Sequence, residues 1–230
     1  MRAIKEAISA HAAKVPFLKE IADRCLATRR WDGSVVCMLV DAAITSTGVN
    51  YFTVVVPRVE EFKRRFAETG EIASLQDLAI AKQEELLDIW GNRRSWRAAQ
   101  EIASHLAELK QEHGVDEVGA LRIWARQAKL EDWRNDVIGR IKGVGINTFQ
   151  YLRMMGGVDT TMPDKIVKRF INRLLADAGE EQVDEDLAFI ARVHEIAEAA
   201  KLRAIELCFL AWLVQYKDEM ERYAQIMRRI

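Results

Sequence analysis

The sequence predicts an all-α protein. Only three prolines interrupt 230 residues, and apolar side chains recur at the 3.6-residue helical spacing over most of the chain. Residues that open helices (Ser, Asp) and residues that close them (Gly-Asn, His-Gly, Gly-Gly) fall between these runs.

In chain order, Ala3 to Ala27 is predicted as a first amphipathic helix. Ser34 to Ser46 is apolar on nearly every face, which predicts a central, buried helix. Asn50 to Val56 (Asn-Tyr-Phe-Thr-Val-Val-Val) is β-branched and aromatic, reads as strand-like, and is followed by Pro57. Ser74 is placed to cap a short helix beginning at Leu75. Gln83 to Trp90 forms another, ended by Gly91-Asn92, and Trp96 to Glu112 a long one, stopped by His113-Gly114. Ala120 to Ala128, Glu131 to Ile141 and Asn147 to Met155 follow, the last closed by Gly156-Gly157. Asp164 to Ala178, Asp186 to Lys201 and Leu202 to Met227 complete the series.

Half the residues are apolar, 30% are charged and the net charge is −1, as in an ordinary globular protein rather than an indiscriminate polyanion binder. Cys25, Cys37 and Cys208 are far apart and make no zinc or iron–sulfur spacing, so buried, reduced thiols and a cytoplasmic location are expected (nucleoid-associated if bacterial). The four histidines have no ligand spacing, and no metal or cofactor is expected. Met1 to Arg30 mixes acids and bases and does not read as a signal peptide. The longest apolar zone, Val35 to Val56, is broken by Asp41 and by Thr45-Ser46-Thr47-Gly48, so it reads as core and not as a membrane span.

The most informative stretch runs from Asn135 to Leu175. Gly143-Val144-Gly145 reads as a short turn between two helices, and two glycines this close permit positive φ and leave backbone N–H groups uncovered. At the start of the second helix those N–H groups favour an anion, which makes Lys142, Gly143, Val144, Gly145, Asn147 and Thr148 candidates for gripping a nucleic-acid phosphate, with a monovalent cation on the hairpin backbone as one option. A buried helix–helix turn also wants glycine. Between Ile138 and Arg173 seven Lys or Arg stand against two Asp, so the local charge is strongly positive. Asp164, behind Pro163 and ahead of this cationic face, reads by residue type as an N-cap. Asp41, inside an apolar helix, must be paired, hydrogen-bonded or protonated, or face a cavity. A hydrogen bond to a neighbouring helix is the default and a base-pocket contact the alternative. The six tryptophans read mostly as core, while one of them, or Tyr51 or Phe52, is a candidate to stack on an extruded base.

These residues resemble the helix-hairpin-helix base-excision DNA glycosylase superfamily, which has the endonuclease III-like fold. Ile141-Lys142-Gly143-Val144-Gly145 is similar to the family's Leu-Pro-Gly-Val-Gly hairpin, and Pro163-Asp164-Lys165-Ile166-Val167-Lys168-Arg169 to its catalytic Asp segment about twenty residues on. The resemblance is specific over about forty residues and coarse, by helix order, from Val35 to Tyr216. It implies a two-lobed helical fold: one lobe at residues 31–157, with the helix-hairpin-helix at about 131–155, and a second made of residues 1–30 plus 158–230. It also implies a double-stranded DNA partner and Asp164 as the catalytic carboxylate; the sequence leaves the oligomeric state open, with a monomer favoured. Asp41, Thr47, Asn50, Arg93, Lys165 and Lys168 then become candidates for the base pocket or the DNA-facing side. The departures are equally specific. Asn147 stands where bifunctional members carry a nucleophilic Lys, the four-cysteine cluster is absent, and Thr47, with Ser46 and Asn50 nearby, replaces a gap-filling Gln. The expected function is hydrolysis of the N-glycosidic bond of a damaged or mispaired base by a monofunctional enzyme. The alternatives are a catalytically inactive DNA-binding or scaffold module, and, more remotely, an all-helical interaction protein.

Overall fold

A computed structural model describes all 230 residues, and every regular element in it is a helix. The first predicted helix is two: α1 (Arg2–Ala12) and α2 (Leu18–Leu26), separated by a turn in which Phe17 takes the left-handed conformation, φ 60°. Pro16 lies in this break, where it has no N–H to donate and disfavours helical geometry at Val15.

The predicted central helix is α3 (Val35–Thr45). Ser34 caps it by accepting from the Cys37 N–H, and every residue from Val35 to Ile44 is buried. Each fully buried Val, Leu or Ile in this helix contributes about 1.5–3 kcal/mol, so α3 is the apolar post around which its neighbours pack. Those neighbours are α4 (Val56–Phe62), α5 (Leu75–Ile80), α7 (Arg93–His113), α8 (Glu117–Gln127) and α9 (Ile146–Met155). A short α6 (Gln83–Leu87) lies against α7. The long helix starts earlier than its sequence suggests, because Asn92 is its N-cap, accepting from the N–H groups of Arg94 and Ser95, rather than the close of the helix before it.

Asn50 to Val56 is not a strand. Tyr51 to Val55 form a wide turn closed by a Val55 N–H to Asn50 C=O bond of 3.2 Å, which runs directly into α4, and a second wide turn at Lys63–Ala67 ends that helix. With no second strand to pair with, the β-branched and aromatic run buries Tyr51, Phe52, Val55 and Val56 in the core instead.

Glu131 to Ile141 is also not a regular helix. It is a string of turns with isolated hydrogen bonds, so the predicted helix-hairpin-helix lacks its first helix. The Asp136 carboxylate takes the Ile138 and Gly139 N–H groups at 2.8 and 3.2 Å, and the Trp124 indole N–H at 3.1 Å, offering the backbone a local alternative to helix. Gly139 lies so close to Trp133 that a Cβ would sit 1.7 Å from its carbonyl oxygen.

The remaining helices are α10 (Lys165–Asp177), α11 (Asp186–Ala200), α12 (Ala204–Val214) and α13 (Met220–Arg229). The predicted helix Leu202 to Met227 is thus interrupted at residues 215–219. The N-terminal helices pack on this C-terminal group, α1 against α10, α11 and α12, and α2 against α12 and α13. A single continuous apolar core runs through both sets of helices. No helix is long and apolar enough to cross a membrane.

Candidate functional site

A cavity of about 860 Å³ opens where four segments meet: the end of α3 with the wide turn after it, the Gly143–Gly145 hairpin with α9, the start of α10, and α12. Its walls are aromatic, with Tyr51 and Phe52 from the wide turn, Tyr151 from α9, and Trp212 and Tyr216 at the end of α12. Tyr51 and Trp212 lie 5.3 Å apart between ring centroids. Of the six tryptophans only Trp212 borders this space.

Asp164 supplies the one carboxylate among the lining residues. It caps α10: one oxygen accepts from the Ile166 and Val167 N–H groups at 2.7 and 2.8 Å. The other accepts from the Trp212 indole N–H at 2.7 Å. No cation pairs with it. Burial pushes its proton affinity above that of an ordinary aspartate, against the pull of these three hydrogen bonds.

The hairpin beside it divides its tasks between the two glycines. Gly143 has φ +112°, which favours glycine, whereas Gly145 is extended at φ −103° and has nothing within 4 Å of where a Cβ would stand. Only Gly143 uses the positive φ that the pair permits. Gly145 has no side chain with which to cap α9, and the N–H groups of Ile146, Asn147 and Thr148 have no acceptor in the protein. The starts of α9 and α10 thus differ, one open and the other closed by Asp164.

The sequence candidates divide accordingly. Gly143, Val144, Gly145, Asn147, Thr148, Asn50, Asp164 and Lys165 line the cavity. Lys142 is exposed and does not line it. Thr47 donates its hydroxyl to the Ile44 carbonyl at 2.7 Å and stays off the lining, where Thr45 and Ser46 stand instead. Arg93 pairs with Glu84 at 3.7 Å, and its neighbour Arg94 reaches the rim. Lys168 is held by Asp186 at 2.7 Å and by the Asp184 carbonyl, so it braces α10 against α11. Arg169, one turn beyond Lys165, takes the rim position. Arg94, Lys165 and Arg169 make no ion pair, which leaves three free cations around a single carboxylate. Ile146 also borders a smaller cavity of about 280 Å³, lined by Glu131, Asp132, Glu185 and Asp186 together with Arg134, so a rim of net negative charge adjoins the cationic one at the start of α9.

Asp41 does not border the cavity. It is fully buried and accepts from the Trp31 indole at 2.8 Å, the Tyr51 hydroxyl at 2.8 Å, the Tyr151 hydroxyl at 3.2 Å and the Thr45 hydroxyl at 3.1 Å. The buried Arg30 guanidinium lies 3.4 Å away. Trp31 reaches Asp41 from a left-handed backbone, φ 52°, a conformation that costs an L-residue roughly 1–2 kcal/mol. Asp41 therefore ties α3, the wide turn and α9 together from behind the cavity wall, and the base-pocket alternative for it is set aside. The three cysteines are free and buried, and burial pushes the Cys25 and Cys208 thiols up to about 12. No group of three or more His, Cys, Asp or Glu side chains is arranged to hold a metal ion.

A protein-family model described as a domain of unknown function, DUF8548, matches residues 7–216. No curated protein and no solved structure matches the chain.

Proposed function

The chain belongs to the DUF8548 family, and we propose that it acts on double-stranded DNA as a monofunctional base-excision glycosylase-like protein, hydrolysing the N-glycosidic bond of a damaged or mispaired base. One observation carries this reading: Asp164, a largely buried carboxylate with no cationic partner, opens on an aromatic cavity rimmed by three free cations and an uncapped helix start. In this reading the uncapped N–H groups of α9 hold a backbone phosphate, and Arg94, Lys165 and Arg169 draw in the flanking strand. The acidic groove beyond Ile146 turns the duplex towards the cationic side. The target base leaves the stack, at a cost of a few kcal/mol, and lies against Trp212 and Tyr51. Departure of the base gives the sugar oxocarbenium character at C1′, which Asp164 stabilises while water attacks. Asn147 cannot form a Schiff base, so strand cleavage is not part of the reaction. The two-lobed arrangement belongs to the same proposal, with the helices around α3 as one lobe and α1, α2 and α10 to α13 as the other. Turns stand in for the first helix of the hairpin motif.

A second reading, a DNA-binding module without activity, is favoured by the three hydrogen bonds that already engage both Asp164 oxygens. One experiment separates the two. Duplexes each carrying one damaged or mispaired base are assayed for abasic-site formation with wild type and Asp164→Asn. Asn also caps helices, so the variant is expected to fold and bind DNA while base release falls about 100-fold or more. Borohydride is expected to trap no covalent adduct. Binding of the duplexes with no base released from any of them transfers the site to the second reading, and no binding at all removes both.

A further inference from the structure

Granted the glycosylase-like reading of the site, the reaction needs a water molecule held in one orientation. A water tied by a single hydrogen bond swivels about it, and a second bond fixes it. Asp164 supplies the first. An ionised carboxylate has about four lone-pair sites. The Ile166 and Val167 N–H groups occupy those of one oxygen, and the Trp212 indole occupies one on the other. One acceptor site is left, on the oxygen that accepts from Trp212.

The second partner emerges from the hydroxyls on the lining. Those of Thr45, Tyr51 and Tyr151 all donate to Asp41. Ser46 donates to the Ala43 carbonyl at 2.7 Å, and Tyr216 accepts from the Asn50 amide at 3.3 Å. Thr148 remains. It lines the cavity, it is 7% exposed, and its hydroxyl bonds to no protein group. Threonines along a helix commonly donate to a carbonyl three or four residues back, as Thr47 does to Ile44 and Thr69 to Arg65. A nearly buried hydroxyl that forgoes that bond is unfavourable unless water or a ligand meets it. The amides of Asn147 and Gln215 border the same cavity, but both residues are exposed at its rim. Thr148 also lies on the Asp164 side. It stands one turn before Tyr151 on α9 and shares its face. The Tyr151 ring is 6.1 Å from that of Trp212, whose indole N–H is the one on Asp164.

We infer that Thr148 and Asp164 hold one water between them, each accepting a hydrogen bond from it, and that this is the water that attacks C1′. As the C1′–N bond breaks, its electron pair leaves with the base. The water oxygen bonds to C1′ and sheds a proton to Asp164, which passes it to solvent while the departing base takes one up. Thr148 orients the water and exchanges no proton. The test compares wild type, Thr148→Val, which drops the hydroxyl, and Thr148→Ser, which keeps it, on a duplex that wild type processes. Thr148→Val loses no bond to the protein and is expected to fold, with kcat down about 10- to 100-fold and KM within about twofold. Thr148→Ser is expected to stay within about threefold of wild-type kcat. In dilute methanol Thr148→Val is expected to release a larger share of methyl glycoside than wild type, because water has lost its fixed place. A crystal structure of the free protein reads the bridge without catalysis: a water within about 3.2 Å of both Thr148 Oγ1 and an Asp164 carboxylate oxygen in wild type, and none in Thr148→Val. A Thr148 hydroxyl bonded to the Val144 carbonyl overturns the inference, as do an unchanged kcat and product ratio in Thr148→Val. Either result leaves the glycosylase-like reading in place if base is released. A bridging water with no base released from any duplex removes that reading, and the water's part in it, while the bridge itself stands.

Discussion

Asp41 and Asp164 are two largely buried carboxylates in one protein, and each accepts a hydrogen bond from an indole, Trp31 at 2.8 Å and Trp212 at 2.7 Å. Their remaining partners differ. Asp41 has a buried arginine and three hydroxyls, and it lies behind the cavity wall. Asp164 has two backbone N–H groups, no cation, and a cavity in front of it. A buried carboxylate given a guanidinium becomes a tether whose charge is spoken for. One given only neutral donors keeps a charge that is costly to hold, together with a heightened affinity for a proton. In the proposed reaction the contrast favours Asp164 over Asp41 as the working carboxylate.

The largest expected effect breaks the tether. Asp41→Ala leaves Arg30 buried and unpaired and is expected to cost about 3–5 kcal/mol in urea unfolding. The Arg30→Met, Asp41→Leu double variant removes the unpaired charge but leaves the Trp31, Tyr51 and Tyr151 donors without an acceptor, so it is expected to recover only part of that loss. Asp164→Ala, which removes a cap and the acceptor of the Trp212 indole but also a buried charge without a cation, is expected to cost about 2 kcal/mol. Equal losses for the two Ala variants would erase the distinction drawn here.

Trp212→Phe comes next. It removes a donor from a charged acceptor, for about 1.5–3 kcal/mol, and takes away a hydrogen bond that holds the Asp164 pKa down. The Asp164 carboxyl carbon, followed by NMR, should titrate at higher pH in this variant than in wild type. An unchanged or lower midpoint would mean that the indole does not act on the carboxylate.

The smallest effect is a slope. The pKa of Asp164 is raised in the folded state, so the fold favours its protonated form. Its contribution is therefore most favourable below the unfolded value of ~3.9 and is lost as pH rises through the folded value. Wild type is expected to lose stability relative to Asp164→Asn as the pH rises from 4 to neutrality. A difference that is flat, or grows the other way, would place Asp164 with the paired carboxylates.

What the sequence made legible follows from how local each signal is. α3 was readable to within a residue because its apolar content and the Ser34 cap both lie inside it. The Gly143–Gly145 turn and the Asp164 cap were readable because the residue types themselves carry them. The wide turn at Tyr51 was not, because β-branched residues favour a strand only where a neighbouring strand exists to pair with. The turns at 131–141 were hidden because Asp136 competes with the helix through its own side chain. The rim cations show the limit most sharply. Arg93 and Arg94 differ by one residue, hence by about 100° around α7, and only Arg94 faces the cavity. Lys165 and Arg169 are four apart and share a face, while Lys168 is turned towards α11. Charge was visible in the sequence, but direction was not. Tyr151 and Trp212 come to the site from helices far apart in the chain, and no local pattern joins them.

The two wide turns that bracket α4 carry a consequence for the cavity. Each is held by a bond spanning five residues, Val55 to Asn50 and Glu68 to Lys63, and so accommodates one residue more than an α-helical turn. Deleting Thr53 would return the first turn to α geometry and rotate what precedes it by about 100° relative to α4. Tyr51 and Phe52 would then turn away from the cavity, with α4 left in register against the core. A single-residue deletion here would therefore move one aromatic wall of the cavity and, with it, break the Tyr51 bond to Asp41 and the stacking of Phe52 on Tyr223.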